Sequence, residues 1–152
     1  MIRWLVIFTA SGAYTGYVPI APGTAGAALG LVLEWFLAPL WQRAPAAFLI
    51  AFALIFVASC GIAGAAEKIF ERHDSQQIVL DEVLGMVATL FLVPAGWLWI
   101  AMGFLLFRIF DTLKPWPASA FDRMKGGAGV MLDDLAAAIY ANLMLQALRL
   151  IV

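Results

Sequence analysis

Val83-Leu84-Gly85-Met86-Val87-Ala88-Thr89-Leu90-Phe91-Leu92-Val93-Pro94-Ala95-Gly96-Trp97-Leu98-Trp99-Ile100-Ala101-Met102-Gly103-Phe104-Leu105-Leu106-Phe107 contains no Asp, Glu, Lys or Arg. Pro94-Ala95-Gly96 divides it into two apolar halves. Either it is one kinked span, or it is a shallow helical hairpin turning at Pro94. As a hairpin, each arm borrows polar ends to gain length, roughly residues 78–93 and 96–113. The two readings differ in charge topology. The hairpin puts Arg3, Lys68, Arg72, Arg108, Lys114, Arg123 and Lys125 on one side and leaves Arg43 and Arg149 opposite. That asymmetry matches the excess of cations found on cytoplasmic loops. A single span weakens it, so the hairpin is favoured.

The rest of the chain fits the same solvent. Of 152 residues, 64% are hydrophobic and 12% charged, against about a quarter charged in a soluble domain. Water could not tolerate that much apolar surface, so lipid must cover part of it. Three further stretches lack charge: Trp4–Leu33, Ala44–Ala66 and Leu135–Leu148. Within the second, Pro45 to Gly64 supplies the ~20 residues that cross the hydrocarbon layer. The first is interrupted at Pro19, Pro22 and Gly23, which predicts a helix from about Ala25 to Leu40. Glu34 lies inside it and is expected to face protein. The last helix is expected to begin near Asp133 or Asp134, either of which could cap it. Met1 to Ala13 loosely imitates a signal peptide, but the charge-free sequence continues through Leu33. The expectation is one domain over residues 1–152. It is an all-α integral membrane protein, a small polytopic bundle with about four to five membrane-embedded helices.

Net charge is −1, so there is no basic stripe of the kind nucleic acid requires. The single Cys60 cannot form an intramolecular disulfide. Four polar clusters share one side under the hairpin topology. Asp81 and Glu82 enter an apolar helix, where adjacent carboxylates are costly without a cation. They differ by about 100° of helix rotation, so both can address one site only from a helix end. A hydrated acidic helix start explains them as well. Arg108, Asp111 and Lys114 are spaced by threes on one helix face and could hold phosphate oxygens. An interfacial belt with Trp116 and a snorkelling Lys114 is the plainer alternative. Gly126-Gly127-Ala128-Gly129 precedes Asp133-Asp134: the glycines could let backbone approach a ligand closely, or a glycine linker followed by an acidic cap accounts for the segment. Pro22-Gly23-Thr24-Ala25-Gly26 is a turn into a helix, with Thr24 as cap or as part of an anion cradle.

Carboxylates in this number suit Mg²⁺, a hard cation that takes oxygen ligands and bridges to phosphate. A membrane setting points to a lipid phosphate as the anion. His73 is the only histidine, position 66 is Ala rather than the Arg of a cysteine-phosphatase loop, and no Asp-x-Asp motif occurs. Metal-assisted attack by water remains. A small ion or proton transporter, with Glu34 joining the carboxylates, is a second reading. A non-catalytic assembly subunit is a third.

The motifs resemble those of the phosphatidylglycerophosphatase A family. The matching strings are Pro-Gly-Thr-Ala-Gly at 22–26, Ile-Val-Leu-Asp-Glu-Val-Leu-Gly at 78–85, and Gly-Gly-Ala-Gly-Val-Met-Leu-Asp-Asp at 126–134. The most specific is Phe-Arg-Ile-Phe-Asp-Thr-Leu-Lys-Pro-Trp-Pro at 107–117, and His73-Asp74 also matches. Ala138 and Ala27 depart from the pattern, at positions bearing on packing and capping. The resemblance implies Mg²⁺-dependent removal of the terminal phosphate of phosphatidylglycerophosphate on the cytoplasmic side of a bacterial inner membrane. It implies Asp81, Glu82, Asp133 and Asp134 as metal ligands, with Asp111 completing the site or positioning water. Thr24, Arg108 and Lys114 would hold phosphate, and Asp74 and Glu34 are weaker candidates. The general base is left open among the carboxylates.

Overall fold

The computed structural model describes residues 2–151. Seven α-helices are formed: α1 (Ile2–Ala10), α2 (Pro22–Arg43), α3 (Pro45–Phe70), α4 (Leu80–Leu90), α5 (Trp97–Leu113), α6 (Ala118–Phe121) and α7 (Gly127–Arg149). A single 3-10 turn, Thr15–Tyr17, follows α1, and no strand occurs among the described residues. The Val83–Phe107 stretch is two helices. α4 ends at Leu90 and α5 begins at Trp97, with Pro94 and Gly96 in the turn between them. Gly96 adopts φ 153°, a value within the region open to glycine and strained for other residues.

Three helices, α2, α3 and α7, are long and apolar enough to cross a membrane. Among the described residues that is fewer than the four to five membrane-embedded helices expected, a number reached only with the arms of the hairpin. α4 and α5 are shorter, rising roughly 17 and 26 Å at 1.5 Å per residue. A turn in such a place needs its free carbonyls satisfied, and α7 supplies the donors. Asn142 Nδ2 donates to the oxygens of Thr89 (2.9 Å) and Phe91 (2.8 Å), Gln146 to Leu92 (3.1 Å), and Arg149 also to Leu92 (3.2 Å). Trp41 near the end of α2 packs edge-on against Phe91. The turn therefore lies level with the Arg43 and Arg149 ends of the bundle, opposite the acidic clusters.

Helix ends follow proline. Pro22 and Pro45 occupy the first helical positions of α2 and α3, where a missing N–H costs nothing. α2 thus starts three residues before the expected Ala25. It runs past Pro39 to Arg43, because one lost backbone bond near the end does not stop a supported helix.

α7 requires a correction. It starts at Gly127, six residues before Asp133, so neither Asp133 nor Asp134 caps it. The glycines belong to the helix and allow close approach. A Cβ on Gly127 would lie 2.1 Å from the Cys60 oxygen and 2.2 Å from the Gly64 nitrogen of α3. Small residues continue the seam, with Ala137, Ala138 and Ala141 of α7 buried beside Ala27, Met86 and Phe107. Large side chains point the other way, among them Leu54, Val57, Leu105 and Leu143, each at least 60% exposed. Small residues within and large ones outward is the arrangement expected of helices packing in lipid.

Candidate active site

At the end of the bundle away from the hairpin turn, four helix termini meet. Asp81 and Glu82 stand in the first turn of α4, the one place from which adjacent carboxylates can address a common point. Asp134 reaches the same point from α7. One carboxylate oxygen from each of Asp81, Glu82 and Asp134 lies within 4.8 Å of the others. Asp81 and Asp134 are buried, so a hydrated acidic start does not account for Asp81. Asp81 Oδ1, Glu82 Oε2, Asp133 Oδ1 and Asp134 Oδ2 are buried without a hydrogen-bond partner among the described residues. Leaving such atoms unpaired costs about 1–3 kcal/mol each.

The donor set fits a metal ion. Carboxylate oxygens converging from three side chains are the donors a small, hard divalent cation takes. The trio is a cluster able to hold a metal.

Cations flank it. Arg108, near the end of α5, donates to Asp111 Oδ2 at 2.5 Å, and Asp111 in turn lies beside Asp134. Lys114 sits just past α5 in a left-handed conformation and binds Asp133 Oδ2 at 2.6 Å. It also binds Asp122 of the loop after α6. Burial pulls the Lys114 pKa down, but the hydrogen bonds and charges of Asp122 and Asp133 outweigh it. The pKa therefore stands above the usual lysine value. Asp133 points to this lysine, about 100° around the helix from Asp134, and stands apart from the trio.

The N-terminus of α2 closes the site. A Cβ on Gly23 would lie 2.2 Å from Glu82 Oε1 and 3.2 Å from an Arg108 nitrogen, so a larger residue here would displace the ends of both side chains. Gly23, Asp74, Asp81, Glu82 and Arg108 line a cleft of about 240 Å³. Thr24 is not its cap, since Ala21 occupies that position with φ 52°. Its backbone nitrogen bonds the Ala21 oxygen, and its side chain is half-buried outside the lining of the cleft. Asp74 does line the cleft and takes a left-handed φ of 45°.

Glu34 faces protein as expected, at 5% exposure, accepting from Trp41 Nε1 at 2.8 Å. It lies three turns along α2 from Pro22, roughly 18 Å by helical rise, and does not join the cluster. Sequence reasoning passed over Asp122 and Gly23. Asp122 lies beyond the Pro115–Pro117 turn, where no helical spacing relates it to Lys114. Gly23 reads as an ordinary turn residue until α4 is packed against it.

Residues 8–149 match the family model described as Phosphatidylglycerophosphatase A. A Haemophilus influenzae protein named Phosphatidylglycerophosphatase A is 38% identical, covering 92% of this chain and 86% of its own. An Escherichia coli K12 protein of the same name is 37% identical over 86% of this chain and 75% of its own. A Bacteroides thetaiotaomicron protein, provisionally named a phosphatidylinositol-3-phosphatase, is 34% identical over 98% of this chain and 96% of its own. No solved structure gives a significant match. The chain belongs to the phosphatidylglycerophosphatase A family.

Proposed function

We propose that this protein hydrolyses the phosphate monoester of phosphatidylglycerophosphate to phosphatidylglycerol and inorganic phosphate. It does so with Mg²⁺, on the cytoplasmic face of a bacterial inner membrane. Family membership supports the substrate. The observation that carries the chemistry is the Asp81–Glu82–Asp134 trio, each with one buried, unpartnered oxygen among the described residues, facing Arg108 and the start of α2.

The trio would hold the metal, which would supply Lewis-acid charge to the site. Arg108 presents a planar fork to those oxygens, and Asp111 fixes its direction. The start of α2 adds backbone N–H groups, favourable to an anion at a helix N-terminus. Lys114, held by Asp122 and Asp133, contributes a second positive charge, and Thr24 and Asp74 border the same end. Reaction requires a water oxygen to attack phosphorus while the bond from phosphorus to the glycerol oxygen breaks. The proton lost by water passes to a carboxylate of the cluster and from there to the departing glycerol oxygen. Removing a single stabilising donor from such a site costs about 10²–10³ in rate.

Phosphate release from defined lipids tests the reading. With Mg²⁺, phosphatidylglycerophosphate is turned over and EDTA abolishes release. Full activity in EDTA would overturn the metal assignment. Faster turnover of phosphatidylinositol 3-phosphate would move the substrate assignment to the other name carried among the relatives.

A further inference from the structure

A cavity of about 1120 Å³ lies outside the acidic cluster. It is an open groove between α1, the end of α3 and the loop before α7. Arg3, Lys68, Arg72 and Lys125 line it, four of the chain's nine Lys and Arg residues. All four are exposed, and none pairs with a carboxylate among the described residues. Two carboxylates also line the groove. Glu67 is engaged by His73 and by the Asp74 N–H, and Glu71 ends α3 in a left-handed conformation. Cations from three separate segments thus outnumber acids in one place, on a chain whose net charge is −1. Val6 and Ile69, half-buried in the same lining, supply an apolar floor.

A basic rim over an apolar floor, at the end of a membrane-crossing helix, matches an amphiphile with an anionic head. We infer that this groove is an accessory site for an anionic glycerophospholipid of the surrounding leaflet. Its headgroup phosphate lies among Arg3, Arg72, Lys68 and Lys125, and an acyl chain lies along the α1–α3 floor. The site is separate from the cleft that holds Asp81 and Glu82. The turn at residues 71–74 divides them, with His73 lining the groove and Asp74 the cleft. A lipid bound there sits beside the reaction without taking part in it. The surrounding leaflet supplies such lipids and attracts basic groups, each cation near the surface contributing about fivefold in affinity.

Lipid binding to the purified full chain tests this independently of hydrolysis. Native mass spectrometry follows retention of phosphatidylglycerol against phosphatidylcholine. The wild type is compared with a triple variant carrying Arg3→Gln, Arg72→Gln and Lys125→Gln. The expected result is a roughly hundredfold loss of phosphatidylglycerol affinity in the triple variant, with phosphatidylcholine unaffected. A lipid in the cleft is common to both proteins and cancels in the comparison. Equal phosphatidylglycerol binding by the two proteins would overturn the inference, as would no preference over phosphatidylcholine in the wild type. Displacement of the lipid by millimolar glycerol 3-phosphate would reassign the groove to soluble phosphates. If the triple variant does not fold, Lys125→Gln alone is to lose about fivefold. The wild-type affinity is also to fall with rising salt, and constancy in both measurements refutes the site.

Discussion

At the scale of single residues, the site is defined by what its carboxylates lack. Asp81 and Asp134 are buried within reach of each other and of Glu82, and one buried oxygen of each has no donor among the described residues. Without a cation, such a cluster opposes folding through desolvation and mutual repulsion. Two effects of Asp81→Asn therefore run in opposite directions. In EDTA the variant is expected to unfold at a higher temperature than the wild type, by the equivalent of about 1–3 kcal/mol. In saturating Mg²⁺ the order reverses. The wild type gains about 2.7 kcal/mol at a hundredfold excess over its dissociation constant, and the variant gains little. Activity falls by at least about a hundredfold. Thermal unfolding with and without Mg²⁺ separates this from a merely structural aspartate, which would be destabilised in both conditions. Asp134→Asn is expected to behave alike. Asp133→Asn is expected to keep most of the Mg²⁺ response, since its carboxylate binds Lys114.

At the scale of elements, glycine sets how closely helices approach. Gly127 meets the backbone of Cys60 and Gly64, which cannot yield as a side chain can, whereas Gly61 in the same helix α3 has open space around it. Gly127→Ala is expected to force α3 from α7 and destabilise the bundle by about 1–3 kcal/mol. Gly61→Ala is expected to be neutral or to stabilise by up to about 1 kcal/mol through the helix preference of alanine. Denaturation midpoints in a fixed detergent compare the two. The same contrast shows what a sequence can reveal. The hairpin was legible because Pro94 and Gly96 interrupt a charge-free run and the distribution of cations chose between its two readings. The pairing of Asp81 with Glu82 was legible as a helix-end site. The start of α7 was not, because a glycine run followed by two acids has the same appearance whether it is a linker with a cap or a seam of backbone contact. Asn142, Gln146 and Arg149 were not legible either, since a polar stripe near a chain end gives no sign that it serves carbonyls of a turn some fifty residues earlier.

At the scale of the whole molecule, function rests on polarity from end to end. One end gathers the acidic trio, Arg108, Lys114 and the basic groove. The other carries Arg43, Arg149 and the hairpin turn, and Glu34 alone stands between, held by Trp41. A transporter would need carboxylates spaced through the membrane thickness, and this distribution does not provide them. It does fit the proposed orientation, with the cation-rich end toward the cytoplasm. Cys60 is the only cysteine, so sidedness can be read by labelling. In a Cys60→Ser background, Lys125→Cys in the loop before α7 and Arg43→Cys at the end of α2 are both exposed positions. A membrane-impermeant maleimide added outside spheroplasts is expected to modify the position at Arg43 and spare the one at Lys125. Inverted vesicles are expected to give the opposite pattern. Labelling of Lys125→Cys from outside would place the acidic site on the external face. The phosphate-releasing chemistry would survive that result, but the substrate would have to reach the site from the other leaflet.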